Sequence, residues 1–572
     1  MDKISKKNKM KKRIDSLKKK FTKYDIDGYV VPKNDEYFTE YSKINRLKII
    51  SNFSGSAGLA IILKNKNYLF TDGRYTIQSE IESGKYFQIL SYEKIVNCKL
   101  FKNLNLGLDP KLFTYEQIKK YFLSHNKVKF ISNNLIDEIK AKRSDKNIPF
   151  FSLKNEIVGE SKRSKINKII KYLKKKKADN LFVTAPENVA WILNIRGSDG
   201  PNSPIPNCRL IINKSKKIFL ITEPKKAKIL IKEKIIRKNQ IINTKDLQNK
   251  ILSLNDKKFI IDNKTCSIFH ENIIKSKFKI ISRNDPTYLL KAIKNKTEIK
   301  NMIKAHILDG VALTKFIYWI KNINKNKITE VDAQIKLEKF RKKNKNYLYP
   351  SFDTIAGSGK NGAIVHYRAK KENCRFIKKN DIFLCDSGGQ YKYGTTDVTR
   401  TLCFSKPQQD IIDIYTKVLK GHIAVATTNL ATDNTGKKID KRARKYLKES
   451  NLDYAHGTGH GVGFFLNVHE GPQSISKFNN IKIKQGMILS NEPGYYKKGN
   501  FGIRIENLVY VNKKGKIFFE NLTYVPLEKE LINYNLLTKL EKNYLFKYHF
   551  NVYAKISNFL NKKEKQWLAN LI

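Results

Sequence analysis

Residues Asp381–Thr401 read DIFLCDSGGQYKYGTTDVTRT. The near-continuous apolar run Ile382-Phe383-Leu384-Cys385 is the pattern of a strand buried on both faces, and it ends on a carboxylate, Asp386. Gly388, Gly389 and Gly394 mark a turn. Thr395 to Phe404 then reads as a second strand, and it carries Asp397. An antiparallel return of this length brings the two carboxylates side by side. At about 4 Å they repel by roughly 4 kcal/mol in an effective dielectric of about 20, so such a pair serves a cation or a shared proton. Taken alone, the stretch also fits a hairpin with two solvated acids.

The residues downstream supply partners for that pair. His366 sits in GAIVHYRA, His456 and His460 in AHGTGHGVG, and His469 in NVHEGP. The glycines of the second motif let backbone approach a site closely. Glu492 follows the apolar Met487-Ile488-Leu489 in LSNEPGYY. Glu506 lies in FGIRIENLVYV, read as one strand with Arg504 and Glu506 on a common face. An arginine beside a buried carboxylate orients it or binds a substrate anion. Asp386, Asp397, His460, Glu492 and Glu506 together make four carboxylates and one imidazole. Their charge of about minus four balances two divalent cations. Oxygen-rich ligation with one nitrogen favours Mn²⁺ over a thiolate-type zinc site, with Co²⁺ or Zn²⁺ as alternatives.

In order and in kind, these motifs resemble the pita-bread (M24) metallopeptidases, the family of methionine aminopeptidase, prolidase and aminopeptidase P. The resemblance extends to FSGSAG and TDGRY near the start, AWILNIRGSD in the middle and FENLTYVPLE near the end, and so points to the long, three-domain aminopeptidase P branch. It implies an α/β chain: two related creatinase-like domains at 1–157 and 158–285, a pita-bread α+β catalytic domain at 286–512 and a helical extension at 513–572. It implies removal of the first residue from peptides with proline second, by attack of a hydroxide activated between two metals. Asp386 would chelate one metal, Asp397 and Glu506 would bridge both, and His460 and Glu492 would hold the other. Glu492 would also handle the water's proton. His366 and His469 would bond substrate and steady the intermediate; His456 and Arg504 would line the site. Arg74, in TDGRY, matches an arginine that contacts peptide from another domain or subunit. Proline lacks an amide hydrogen and needs a shaped apolar pocket, for which Phe464, Phe465, Tyr495 and Tyr496 are candidates. A prolidase-like dipeptidase is the alternative reading, and a non-enzymatic binding protein of this fold the third.

The rest of the chain carries its own signals. Asp27 to Pro32, Asn34-Asp35 and Phe53-Ser54-Gly55 run strand, proline, polar pair, glycine turn. Asp179 to Val183, Pro186-Glu187-Asn188 and Ala190 to Gly197 repeat that order, which reads as a duplicated α/β unit with a linker near Asn155–Ser164 and an end near Ser282–Asp285. Leu289, Leu290, Ile293, Ile299, Met302, Ile303 and Ile307 recur at helical spacing. Tyr544, Leu545, Phe546, Phe550, Trp567 and Leu568 give the tail an apolar face for a core or for a homodimer partner.

The formal charge is +61, from 113 basic against 52 acidic residues. The excess is mostly lysine, spread along the chain with abundant isoleucine and asparagine as in AT-rich coding sequence. Nucleic-acid surfaces show clustered arginines with interleaved aromatics, so no specific nucleic-acid partner is expected. The six cysteines (98, 208, 266, 374, 385 and 403) form no CxxC pair, which argues against a disulfide framework and for a reducing cytoplasm. No window reaches the apolar length of a membrane span. Ile4, Ile14, Leu17 and Phe21 predict a lysine-rich amphipathic helix, with acids present and lysines exceeding arginines, unlike a transit peptide.

Overall fold

The computed structural model describes residues 3–96, 100–140 and 147–572, with the side chains of 3–7 and 326 excepted. Cys98 and the Ile4 side chain therefore lie outside the described residues. The other five cysteines are free. The chain divides into two compact units, one built from 1–154, 160–201 and 205–287, the other from 155–159, 202–204 and 288–572.

The first unit contains the same sheet twice. In the first copy Gly28–Pro32 is central. Leu59–Leu63 and Asn67–Thr71 follow antiparallel on one side, with Gln88–Ser91 parallel at that edge; Asn105–Leu108 and Lys127–Phe130 run parallel on the other. In the second copy Asn180–Val183 is central. It is flanked by Arg209–Asn213, Ile218–Ile221 and Ile241–Ile242 on one side and by Lys258–Ile261 and Lys279–Ser282 on the other, with the same pairing senses. Both central strands are buried throughout, as a helix-covered sheet requires. The helix Lys3–Lys18 buries Met10, Ile14 and Leu17, and Phe21 follows them into the same core.

The second unit contains the long helix Lys296–Asn322, whose start is fixed by reciprocal hydrogen bonds between Asn295 and Glu298, a capping box. Of the predicted apolar face, Met302 is buried and Ile303 and Ile307 pack on the core, but Leu289 and Ile293 are largely exposed. A five-stranded antiparallel sheet runs Glu470–Ile475, Gly459–Gly461, Ile488–Asn491, Asn507–Lys514, Lys516–Asn521. A three-stranded sheet has Phe383–Ser387 between Ile355–Ser358 and Val398–Leu402. The tail helix Lys539–Ile556 packs Leu545, Tyr548, Val552 and Ile556 into the cluster holding Tyr415, Leu419 and Ile503, while Phe546 and Phe550 stay exposed. Among the described residues no helix is long and apolar enough to cross a membrane.

Two local readings change. Between Asp386 and Asp397 lies not a simple turn but a nested hairpin, Gly389–Tyr391 with Gly394–Thr395, which pairs into another sheet against Tyr347–Pro350. The return strand begins only at Val398, because Asp397 falls in the link between the two sheets. The predicted Phe501–Val511 strand is likewise broken. It ends at Arg504 and restarts at Asn507, because the Ile505 N–H donates to the Pro493 carbonyl and the Glu506 N–H to that of Thr399. Alternation along one strand therefore does not place Arg504 beside Glu506.

His549, buried on the tail helix, accepts the Leu527 N–H at Nε2, which requires a neutral ring. Burial, reinforced by the charges of Arg400 and Lys529, lowers its pKa to about 4. The unfolded chain takes up this proton first, so stability is expected to fall as pH drops from about 6.5 to about 4, by about 3 kcal/mol. His549→Gln, which keeps an acceptor, should flatten that slope in melting curves recorded across the interval.

Candidate active site

Four separate segments deliver carboxylates to one place. Asp386 lies inside Phe383–Ser387, Asp397 just before Val398–Leu402, Glu492 just after Ile488–Asn491, and Glu506 in the gap between Phe501–Arg504 and Asn507–Lys514. His460 is the middle residue of Gly459–Gly461. Its neighbours must be glycine: a Cβ at Gly459 would fall onto the Ser490 carbonyl oxygen, and one at Gly461 onto that of Glu470. His460 Nε2 stands 3.4 Å from Asp397 Oδ2 and 3.5 Å from Glu492 Oε1. One ligand atom each of Asp397, His460 and Glu506 lie within 4.8 Å of one another.

Charge crowding is written into the acidities. Burial, and the charges of Asp397 and Glu492, push Asp386 up to about 7 despite Arg504. Burial and the same acids, with Asp386, drive Glu506 well above the usual carboxylate range. Burial opposes the charge on Glu492, but His460, His456 and Arg504 hold it low. Burial also opposes charge on His460, yet Asp397 and Glu492 raise it to about 9. Asp386 Oδ1 is buried and accepts no hydrogen bond among the described residues. A buried acceptor of this kind needs a partner, and four carboxylates with one imidazole and one open oxygen fit a pair of divalent cations.

Cations of the chain itself orient the cluster. Arg504 Nη2 donates to Asp386 Oδ2 at 2.6 Å and Nε to Thr399 Oγ1 at 3.2 Å, while Thr399 donates to Glu506 Oε2 at 2.7 Å. Arg504 and Glu506 are thus linked through Thr399, which sits directly opposite Asp386 in the ladder. Arg504 Nη1 also donates to the Tyr496 hydroxyl at 2.6 Å, which lies 2.8 Å from His456 Nε2. Burial lowers His456 to about 4, so its ring is neutral and accepts from Tyr496 while Nδ1–H donates to the Gly457 carbonyl.

The remaining predicted residues are distributed unevenly. The His469 ring centroid lies 4.2 Å from that of His460, on an exposed side chain. His366 is half-buried and follows Val365, whose carbonyl accepts from Arg504. Phe464 and Phe465 are buried, Tyr495 packs on Phe501, and Tyr496 belongs to the arginine network. Arg74 belongs to the first unit, where Asp72 holds its guanidinium at 2.9 and 2.7 Å; the cluster is built from the second unit alone.

Three buried residues outside the predicted set hold the frame. Asp309 accepts from Arg341 at 2.7 Å, from Tyr391 at 2.8 Å and from Thr396 at 2.9 Å, and Arg341 also donates to Ser387. Ser387 and Thr396 adjoin Asp386 and Asp397, so one ion pair fixes both ends of the nested hairpin. Arg400 donates to the carbonyls of Thr399, Glu506, Val525 and Pro526, to Asn507 Oδ1 and to Tyr548. Asp309 carries a signal, an acid within the apolar run 307–313, whereas Arg400 is flanked by threonines and carries none. His422, another histidine of the same stretch, contacts the carbonyl of Asn491, next to Glu492, rather than the carboxylates.

Comparison with known proteins covers the whole chain. Residues 300–513 match metallopeptidase family M24, and 516–571 match the C-terminal region of that peptidase. Residues 13–139 and 141–298 each match a creatinase/prolidase N-terminal domain. A probable Xaa-Pro aminopeptidase P of Laccaria bicolor is 36% identical across 97% of this chain and 92% of its own length. The structure of an X-prolyl aminopeptidase of Caenorhabditis elegans, a cytosolic enzyme with a di-nuclear active site, superposes with a TM-score of 0.91 at 28% identity, covering 98% of this chain and 99% of that one. Prolidase from Pyrococcus furiosus aligns at 27% identity and a TM-score of 0.52, over 62% of this chain and 98% of its own.

The Arg400 hub makes a graded prediction. Tyr548→Phe removes one of its acceptors and is expected to cost about 1 kcal/mol. Arg400→Met strands several buried carbonyls and should cost about 3 kcal/mol or more. Urea titration of both variants checks the order.

Proposed function

Since the chain belongs to the M24 metallopeptidase family, with creatinase/prolidase N-terminal domains ahead of the peptidase region, we propose that it is a metal-dependent Xaa-Pro aminopeptidase. The observation that carries this reading is the gathering of Asp397, His460 and Glu506 within common reach, with Asp386 and Glu492 electrostatically coupled to them. The full-length likeness to the aminopeptidases favours this activity over dipeptide hydrolysis, because the prolidase aligns with a smaller share of the chain. The division into 1–157, 158–285, 286–512 and 513–572 is part of the same reading and is supported by the positions of the family matches.

In this reading Asp386 and Asp397, with Glu506, would hold one divalent ion, and Asp397, Glu506, His460 and Glu492 would hold the other. Mn²⁺ suits that oxygen-rich set. When bound, the ions acidify the attacking water and polarise the carbonyl before proline. Glu492, ionised beside His460, accepts the water's proton and returns it to the proline nitrogen. His469 and His366 donate to the substrate carbonyl as negative charge builds on its oxygen. Arg504 keeps the free oxygen of Asp386 aimed inward, and neutral His456 stiffens Tyr496 at the edge of the site. Arg74 is assigned to peptide contact on the family resemblance alone. A cytoplasmic location and a homodimer belong to the proposal: the five described cysteines are free, the worm relative is cytosolic, and the tail helix exposes Phe546 and Phe550.

Asp397→Asn and Glu506→Gln are each expected to abolish turnover with the fold retained, read by peptide assay, metal analysis and circular dichroism; full turnover with full metal content in either variant would overturn the bridging roles. His469→Ala should lower turnover far more than metal content, whereas equal losses would make it a ligand. Metal-stripped protein reconstituted with Mn²⁺, Co²⁺ or Zn²⁺ is expected to cleave Xaa-Pro-Xaa peptides, with Mn²⁺ most effective; activity on Xaa-Pro dipeptides alone would favour the prolidase reading.

A further inference from the structure

The first unit contains a cavity of about 850 Å³ whose walls come from both copies of the repeated sheet. Its charges do not cancel locally. Arg209, the first residue of Arg209–Asn213, is only 5% exposed, yet among the described residues its guanidinium donates a single hydrogen bond, to the Glu36 carbonyl, and lies 4.2 Å over the Tyr37 ring. Among the described residues no carboxylate stands within ion-pair distance of it, nor of Lys111, whose ammonium lies 5.2 Å over the Phe269 ring. The acids of the wall are occupied elsewhere. Asp35 accepts the N–H groups of Tyr37 and Thr39, Asp199 is paired with Lys226 at 2.8 Å, Glu223 accepts from Thr244, and Glu36 faces Arg46.

A buried guanidinium without a counter-charge costs several kcal/mol, and this one borders open space. His270, in the same wall, adds a donor rather than a third cation. Its Nδ1 lies 2.7 Å from Ser267 Oγ, which also accepts the His270 N–H. With the hydroxyl proton directed at Nδ1, the ring proton sits on Nε2. Burial, then the charges of Arg209 and Lys111, keep the ring neutral. A planar fork, an ammonium and an N–H beside two aromatic faces match an oxyanion on a small organic body.

We propose that Arg209, Lys111 and His270 form an oxyanion-binding site in the first unit, taking the phosphate or carboxylate group of a small aromatic or apolar molecule. The site does not rest on the peptidase reading. Full-length protein is titrated by calorimetry, at constant ionic strength, with inorganic phosphate, phenyl phosphate and benzoate. The expected result is one saturable site per chain, weakened about tenfold or more in Arg209→Gln and also weakened in Lys111→Gln, but unchanged in Lys174→Gln, which removes a remote exposed charge. Tighter binding of phenyl phosphate than of phosphate or benzoate would identify a phosphate monoester; preference for benzoate would identify a carboxylate. Equal binding by Arg209→Gln and the parent, or equal losses in Arg209→Gln and Lys174→Gln, would mean an adventitious ion only and overturn the site. Should Arg209→Gln fail to fold, crystals of the parent soaked in selenate decide. Anomalous density within hydrogen-bond reach of Arg209 and Lys111 supports the site, and density confined to other surfaces overturns it.

Discussion

Four acidic side chains held in a mostly buried place, in mutual repulsion, are the constraint that the second unit is built around. Removing carboxylates from water is costly, and placing them beside each other adds to the cost. The chain meets part of this with its own cations and donors: Arg504 on Asp386, Thr399 on Glu506, His460 between Asp397 and Glu492. What remains shows as carboxyls at Asp386 and Glu506 that hold their protons to higher pH than usual, and as a buried oxygen with no hydrogen bond among the described residues. A pair of divalent ions would relieve that repulsion, and the positive charge of the ions would lower the pKa of a bound water.

Such a cluster works only if its members cannot drift. Three of the four acids are therefore anchored, directly or through a neighbouring residue, by groups outside the cluster. The Asp309–Arg341 pair grips the residues adjoining Asp386 and Asp397, and Arg400 ties Glu506 and Thr399 to the tail through Val525, Pro526 and Tyr548. Buried ion pairs contribute little net stability but favour one geometry over its competitors. The helical tail is accordingly part of the frame of the site: its hydroxyl at Tyr548 shares an arginine with the backbone of Glu506.

In the first unit one sheet order has been used twice, with different residues at the seam. The two copies share topology because each must cover a central strand buried on both faces. They differ where Arg209 and Lys111 border a common cavity. The large positive charge of the chain is carried mainly on exposed lysines, where water and salt screen it. Buried Arg209 is a separate matter: among the described residues it has a carbonyl at hand but no acid within ion-pair distance.

Much of this was legible in the sequence because it depends on local pattern. The apolar run before Asp386, the glycines around His460, the acids of NEPG and RIEN, and the repeated strand–proline–glycine order each follow from what a few neighbouring residues permit. Pairing was not legible in this way. That Asp397 lies in a link between two sheets was settled by strand pairing, that the strand of Arg504 breaks before Glu506 by the carbonyls of Pro493 and Thr399 accepting the Ile505 and Glu506 N–H groups, and that Thr399 joins the two by its hydroxyl. Asp309, Arg341 and Arg400 looked like ordinary charges until their partners, tens to more than a hundred residues distant, came into contact. Residue type and spacing determined which chemistry the chain can hold; only long-range packing, which buries a charge and chooses its partner, decided how that chemistry is held in place.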